Sequence, residues 1–207
     1  MDEHLRAFAQ GCTQLPVAAS MQQAALHTLE QWFTAAPFAS YRPQLLWLLE
    51  QQRWSLLLDS FYRVLPFGTG GRRGAVGVGA NRFNPWTLAS SVQGHAAYLK
   101  MASPAQELSV VIAYDVRAFH DLRDLYNPNL ANPLLGMTSR DFARAAAGVY
   151  VANGIRVYMP AEQATTYLST PELSFTIRAL KASAGLNISA SHNHPDDNGG
   201  KFYNRHG

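Results

Sequence analysis

Apolar and polar positions follow two regimes along this chain, and the change falls at Pro66. Before it, Met21 to Phe33 and Pro43 to Trp54 carry Leu, Trp and Phe at mixed three- and four-residue spacings, the pattern of helices with one apolar face. Pro43 suits a first helical turn, where a missing N–H leaves no bond unmade. Residues 1–60 are therefore expected to form a helical N-terminal extension. Its aromatics, Trp32, Phe33, Trp47 and Trp54, are expected to pack into a core. After Pro66 comes a glycine-dense stretch, 67–79, expected to be a loop. Asn84-Pro85 should open a helix running to about Met101, with a turn over 102–106. Leu108 to Ala113 is a short unbroken apolar run, as in a strand buried on both faces. Residues 120–137 hold two Asn-Pro pairs and read as a long loop. Thr138-Ser139 can cap a helix through Asn153, with Gly154 placed to end it. A strand over Ile155–Met159, a helix from Thr170-Pro171 to about Ser183, and strands over Leu186–Ala190 and Lys201–Asn204 complete the pattern. Strands alternating with helices of this length predict an α/β fold, a three-layer αβα domain over residues 61–207 with a mostly parallel mixed sheet. Function in such sheets sits in loops at the carboxyl ends of strands, which here means Tyr114–Arg117 and Ser191–Gly200.

Composition narrows the classes. Of 207 residues, 47% are hydrophobic and 15% charged, which suits a globular core and argues against disorder. A net charge of +3 with no run of Lys or Arg gives no nucleic-acid footprint, while a small anion pocket needs only a few well-placed cations. The single cysteine, Cys12, excludes an intrachain disulfide and a cysteine-based zinc site. The start, Met1-Asp2-Glu3-His4, lacks a signal-peptide pattern, and no apolar run approaches the ~20 residues of a membrane helix; a cytoplasmic protein without a membrane partner is expected.

Three segments carry chemistry. Residues 189–201, SASHNHPDDNGGK, admit three readings: a polar surface turn, a metal site built from His192, His194, Asp196 and Asp197, or a nucleophilic serine beside His192. The strand-to-helix elbow of serine hydrolases, Gly-x-Ser-x-Gly, is absent. Residues 67–74, FGTGGRRG, form a glycine-rich bend that fits neither the Gly-x4-Gly-Lys-Ser/Thr nor the Gly-x-Gly-x-x-Gly phosphate loop. Tyr114-Asp115-Val116-Arg117 follows the buried strand, where a carboxylate and a guanidinium can make charge-assisted hydrogen bonds.

Together these segments resemble the α-D-phosphohexomutases. The family's catalytic loop reads Thr-Ala-Ser-His-Asn-Pro, then Asn-Gly-x-Lys. Here Ala190-Ser191-His192-Asn193 and Asn198-Gly199-Gly200-Lys201 match, Ser189 stands where Thr is usual, and His194 precedes Pro195. FGTGGRRG resembles Phe-Gly-Thr-Ala-Gly-Leu-Arg-Gly, with Arg73 at the active-site arginine and Arg72 replacing an apolar residue. The residues that follow it resemble the bacterial phosphoglucomutase and phosphopentomutase branch. Asp115 and Arg117 match a Gly-x-Asp-x-Arg element, and Thr170-Pro171 a helix start.

The resemblance, over about residues 60–207, implies domain I of a phosphoglucomutase-type isomerase. Such an enzyme interconverts glucose 1-phosphate and glucose 6-phosphate through a phosphoserine and a bisphosphorylated sugar. It implies catalytic roles for Ser191, His192, Lys201 and Arg73, and binding or supporting roles for Asn193, Asp115, Arg117, Thr69 and Gly70. It also implies one Mg²⁺ per complete enzyme, bound in this chain only through phosphate on Ser191, with glucose 1,6-bisphosphate as activator. The family's acidic metal loop and domains II–IV are not found in these residues, so a truncated and by itself inactive chain is expected. Phosphomannomutase or phosphopentomutase specificity and a non-catalytic phosphosugar-binding remnant are the alternatives.

Overall fold

The computed structural model describes residues 2–104, 107–164 and 167–207. Residues 105 and 106 of the expected 102–106 turn lie outside the described residues. The N-terminal segment is helical: α1 (Asp2–Cys12), α2 (Ala19–Thr34), a 3-10 turn (Ala36–Tyr41), α3 (Arg42–Glu50) and α4 (Trp54–Phe61). The apolar run from Pro43 to Trp54 divides between two helices, because Gln52 takes a left-handed φ of 54° and turns the chain. Trp32 stacks on Phe38 at 4.2 Å and meets Trp86 edge-on at 6.0 Å. Trp86 lies in α5 (Pro85–Ala102), so the N-terminal helices and the α/β layers share one core.

Five strands form one sheet, β1 (Gly71–Ala75), β2 (Ser109–Tyr114), β3 (Arg156–Tyr158), β4 (Ala184–Ile188) and β5 (Asp197–Asn204), in the order β1-β5-β4-β2-β3. β2 pairs parallel with β3 and β4, while β5 runs antiparallel to both β4 and β1, so four of the five strands point one way. α5 and α6 (Ser139–Ala152) cover one face. α7 (Thr170–Ala179) covers the other, where Leu173 and Ile177 pack on Val111 and Ala113. This is the expected three-layer αβα arrangement on a mixed sheet.

Several expected boundaries move. The glycine-dense stretch is not all loop, since 71–75 is the edge strand β1. β4 begins at Ala184, two residues before Leu186, and α7 stops at Ala179. β5 begins at Asp197, so Asn198, Gly199 and Gly200 are strand and not loop. These strand residues carry no apolar alternation because backbone proximity, and not side-chain burial, holds them together. A Cβ on Gly71 would lie 2.0 Å from the Gly200 carbonyl oxygen.

Helix starts follow the sequence closely. Thr138 caps α6 in a box with Asp141, and Ser169 caps α7 in a box with Glu172. Asn84, fully buried, caps α5: its Oδ1 accepts from Thr87 N at 3.0 Å. Its Nδ2 donates to Gly77 O (3.0 Å) and Gly79 O (2.8 Å), which fixes the glycine stretch after β1. Asn84→Ala removes a cap and leaves two buried carbonyls unpaired. It should cost about 2–3 kcal/mol in urea unfolding. A loss under about 1 kcal/mol would show that the cap does not fasten this segment.

Candidate active site

The site is built where β2 and β4 end. Asp115 and Arg117 leave the carboxyl end of β2, and Asp115 N donates to Ile188 O, the last residue of β4, at 3.1 Å. The loop 189–196 leaves β4 beside it. Its root stays in sheet register, since Ser189 N donates to Gly199 O at 2.9 Å.

Arg117 organises this loop. Nη1 donates to His194 O (2.7 Å), Asp197 O (3.2 Å) and Pro195 O (3.3 Å), and Nη2 donates to Ser191 O (2.8 Å) and Asn193 O (3.1 Å). One guanidinium thus gathers carbonyls from Ser191 to Asp197, a task suited to a planar fork of donors and not to a point charge. Asp115 holds the guanidinium from behind: Arg117 Nε donates to its Oδ2 at 3.1 Å, and Arg117 N to its Oδ1 at 3.0 Å. Ser139 Oγ donates to the same Oδ1 at 2.6 Å and accepts from Asn198 Nδ2 at 2.9 Å. A chain of polar contacts therefore runs from β5 through α6 and the end of β2 into the loop.

Ser191 sits at the tip. It is exposed, and its φ of 57° places a non-glycine residue in the left-handed region, at a cost of about 1–2 kcal/mol. Ser189 Oγ accepts from Ser191 N at 3.0 Å and helps hold that conformation. Ser191 Oγ lies 3.3 Å from His192 Nδ1, with both side chains open to solvent. Asn193 turns back into the loop, its Nδ2 donating to Asp197 Oδ2 at 3.0 Å.

Of the remaining candidates, Arg73 on β1 pairs with Gly199, which places it level with Ser189. A Cβ on Gly199 would meet the Arg73 Cβ at 3.1 Å and Ser189 O at 3.0 Å, so glycine is required for β1, β5 and the loop root to approach. Lys201, two residues along β5, shares that face. Both cations are exposed, and among the described residues neither forms an ion pair. Thr69 and Gly70 are placed differently. They form the exposed turn at the start of β1, where Gly70 O accepts from Phe202 N at 2.8 Å, and the structure does not bring them to the Ser191 loop.

Three of the four residues of the metal reading, all but His192, have other occupations. His194 Nδ1 accepts from Asp196 N at 3.1 Å, buried Asp196 accepts from His120 N at 3.1 Å, and Asp197 pairs with Arg123 at 2.7 Å. Among the described residues no group of three or more His, Cys, Asp or Glu side chains is placed to hold a metal ion.

The sequence reading missed Ser139 and the buried role of Asn198. The signal for Ser139 was present. Two hydroxyl residues, Thr138 and Ser139, open α6 where a cap needs only one; Thr138 caps and Ser139 turns inward.

Comparison with known proteins gives one family. Residues 137–207 match the family described as phosphoglucomutase/phosphomannomutase, alpha/beta/alpha domain I. The chain is 38% identical over 140 residues to a phosphopentomutase of Homo sapiens, covering 67% of this chain and 20% of that one. It is 37% identical over 158 residues to a phosphoglucomutase of Staphylococcus aureus (strain bovine RF122 / ET3-1), covering 76% of this chain and 24% of that one. Among solved structures, a Thermus thermophilus chain described as a phosphomannomutase aligns at a TM-score of 0.50 and 30% identity, over 68% of this chain and 26% of that one. The matches thus span about a fifth to a quarter of the length of these relatives.

Proposed function

We propose, for a chain that carries domain I of the α-D-phosphohexomutase superfamily, that Ser191 is the phosphoryl carrier in the interconversion of glucose 1-phosphate and glucose 6-phosphate. The observation that carries this reading is the presentation of Ser191. It is the exposed tip of a loop whose carbonyls are gathered inward by one partly buried arginine, so its hydroxyl is held outward. Moving a phosphoryl group between two hydroxyls of one sugar needs an intermediate holder, and a serine ester can give and retake the group. In the forward step the Ser191 Oγ–P bond forms and the sugar O–P bond breaks. The serine proton passes to His192 Nδ1, the base 3.3 Å away. Arg73 and Lys201 supply positive charge on the same face for an ester that bears about two negative charges.

Phosphate on Ser191 is the hard-oxygen donor this chain would offer Mg²⁺, which would offset charge during transfer. Further ligands for the ion, and the contacts that orient the sugar, would come from domains II–IV of the same enzyme. The short coverage of the longer relatives supports that division. Pentose phosphate is a second reading, favoured by the 38% identity to a phosphopentomutase.

The test is phosphoryl uptake. Extended with domains II–IV, the chain incubated with glucose 1,6-bisphosphate should gain one phosphoryl group in intact-protein mass spectrometry, with the label on Ser191. A label on Ser189, or no label above a heat-denatured control, would refute the assignment. Ser189→Ala should slow uptake about tenfold, equivalent to 1.4 kcal/mol, by releasing the Ser191 amide. Ser189→Thr, which keeps the hydroxyl, should restore it. Equal rates for alanine and threonine would deny Ser189 this role.

A further inference from the structure

Arg72 precedes Arg73 and faces the other way, since successive strand residues alternate sides. Its partner on β5 is Gly200, where a Cβ would lie 3.3 Å from Leu88 of α5, so Arg72 looks towards that helix. The side chain is half-buried. Its Nε is buried with no hydrogen-bond partner among the described residues, and its contact with the helix is long, 3.3 Å from Nη1 to Thr87 O. Among the described residues no carboxylate pairs with it. Burial lowers its pKa from the usual arginine value, as expected of a cation that nothing nearby offsets.

A groove of about 350 Å³ opens beside it, between α5 and the β1–β5 edge. Phe67 and Phe202, stacked with centroids 5.9 Å apart, form one wall, and Ser90 and His95 line it with Arg72. His95 Nδ1 lies 2.7 Å from the Tyr150 hydroxyl. Burial raises the Tyr150 pKa, so the phenol keeps its proton. Burial also lowers His95 to about 4. The imidazole is therefore neutral at pH 7. The groove thus offers a guanidinium, a neutral imidazole and the Ser90 hydroxyl, and among the described residues no acidic side chain lines it.

A partly desolvated cation without a counter-charge is costly, and an oxyanion seated on the guanidinium fork would relieve that cost. Flat aromatic walls favour a ligand with an apolar body, and the volume lies at the lower end of small-molecule pockets, about 300–1,000 Å³. We propose that this groove binds a small oxyanion carried on an aromatic or apolar group, at a site separate from the Ser191 loop and on the face of the sheet opposite Arg73. The motif comparison points to the same residue, since arginine stands here where the resembling motif has an apolar side chain.

The probe is phenyl phosphate, titrated into the 207-residue Ser191→Ala chain so that phosphoryl transfer cannot contribute. Saturable shifts of the Arg72 Nε and His95 Nε2 NMR resonances are expected, with affinity at least about tenfold above that for inorganic phosphate. Arg72→Leu should weaken binding at least about tenfold, and a further Arg73→Ala change should leave it within about twofold. If Arg72→Leu fails to fold, Arg72→Gln removes the charge at similar volume. Absence of a saturable shift, equal binding by the uncharged variant, loss of binding in the Arg73→Ala chain, or equal affinity for inorganic phosphate overturns the proposal. None of these outcomes bears on the Ser191 label.

Discussion

Extended with domains II–IV, the Ser191→Ala chain incubated with glucose 1,6-bisphosphate should keep its mass, where the unaltered chain so extended gains one phosphoryl group. Other hydroxyls do not substitute. Ser189 Oγ is engaged by the Ser191 amide, Ser139 Oγ is buried between Asp115 and Asn198, and Thr69 sits at the other end of β1. In the complete enzyme, mutase turnover should fall at least ~1,000-fold, roughly 4 kcal/mol of lost transition-state stabilisation. Loss of fold is a competing explanation, and backbone geometry separates the two. Alanine at φ 57° is as strained as serine, whereas glycine takes that conformation freely. Ser191→Gly should therefore unfold no more easily than the unaltered chain while taking up no phosphoryl group. A glycine variant that still becomes labelled would move the carrier elsewhere and end the Ser191 reading.

The sequence made the loop legible and its support only partly so. Ser191, His192 and Asn193 stand in one ordered motif, and the structure places them at the carboxyl end of β4. Helix starts were legible because their causes are local: Asn84, Thr138 and Ser169 each act on residues within one turn. Strand limits were not, because β1 is strand only through β5. Gly71 and Gly200 carry no periodic signal; Gly71 is strand through pairing with a segment about 130 residues away, and Gly200 through β1 and through Ile188 of β4. Distance in sequence also hid the buried contacts. Gln44, in a helix read as mere extension, is buried and bonds to Asn127 and Leu130 across the long loop that carries His120 and Arg123 to the site. Nothing near Gln44 in the sequence announces that role.

The second large effect is expected at Arg117. Its guanidinium donates to five carbonyls between Ser191 and Asp197 while Asp115 accepts from its Nε, and the side chain is only 13% exposed. Arg117→Ala would leave Asp115 with the Ser139 hydroxyl and one backbone N–H, and would free the loop carbonyls to turn towards solvent. Breaking a largely buried pair of this kind costs about 3–5 kcal/mol, because the remaining charge loses its partner. Phosphoryl uptake at Ser191 should fall by at least ~100-fold, since a left-handed serine needs its surroundings to hold it there. Stability alone does not account for that fall, and lysine shows why. Arg117→Lys keeps the charge beside Asp115 and should recover part of the unfolding free energy. A single ammonium cannot reach both the Ser191–Asn193 carbonyls and the His194–Asp197 carbonyls, so uptake should stay near the alanine level. Urea unfolding and the rate of mass gain, measured on the same three proteins, separate the two contributions. Uptake restored by lysine would mean that charge at Asp115, and not the fork across the loop, is what Arg117 supplies.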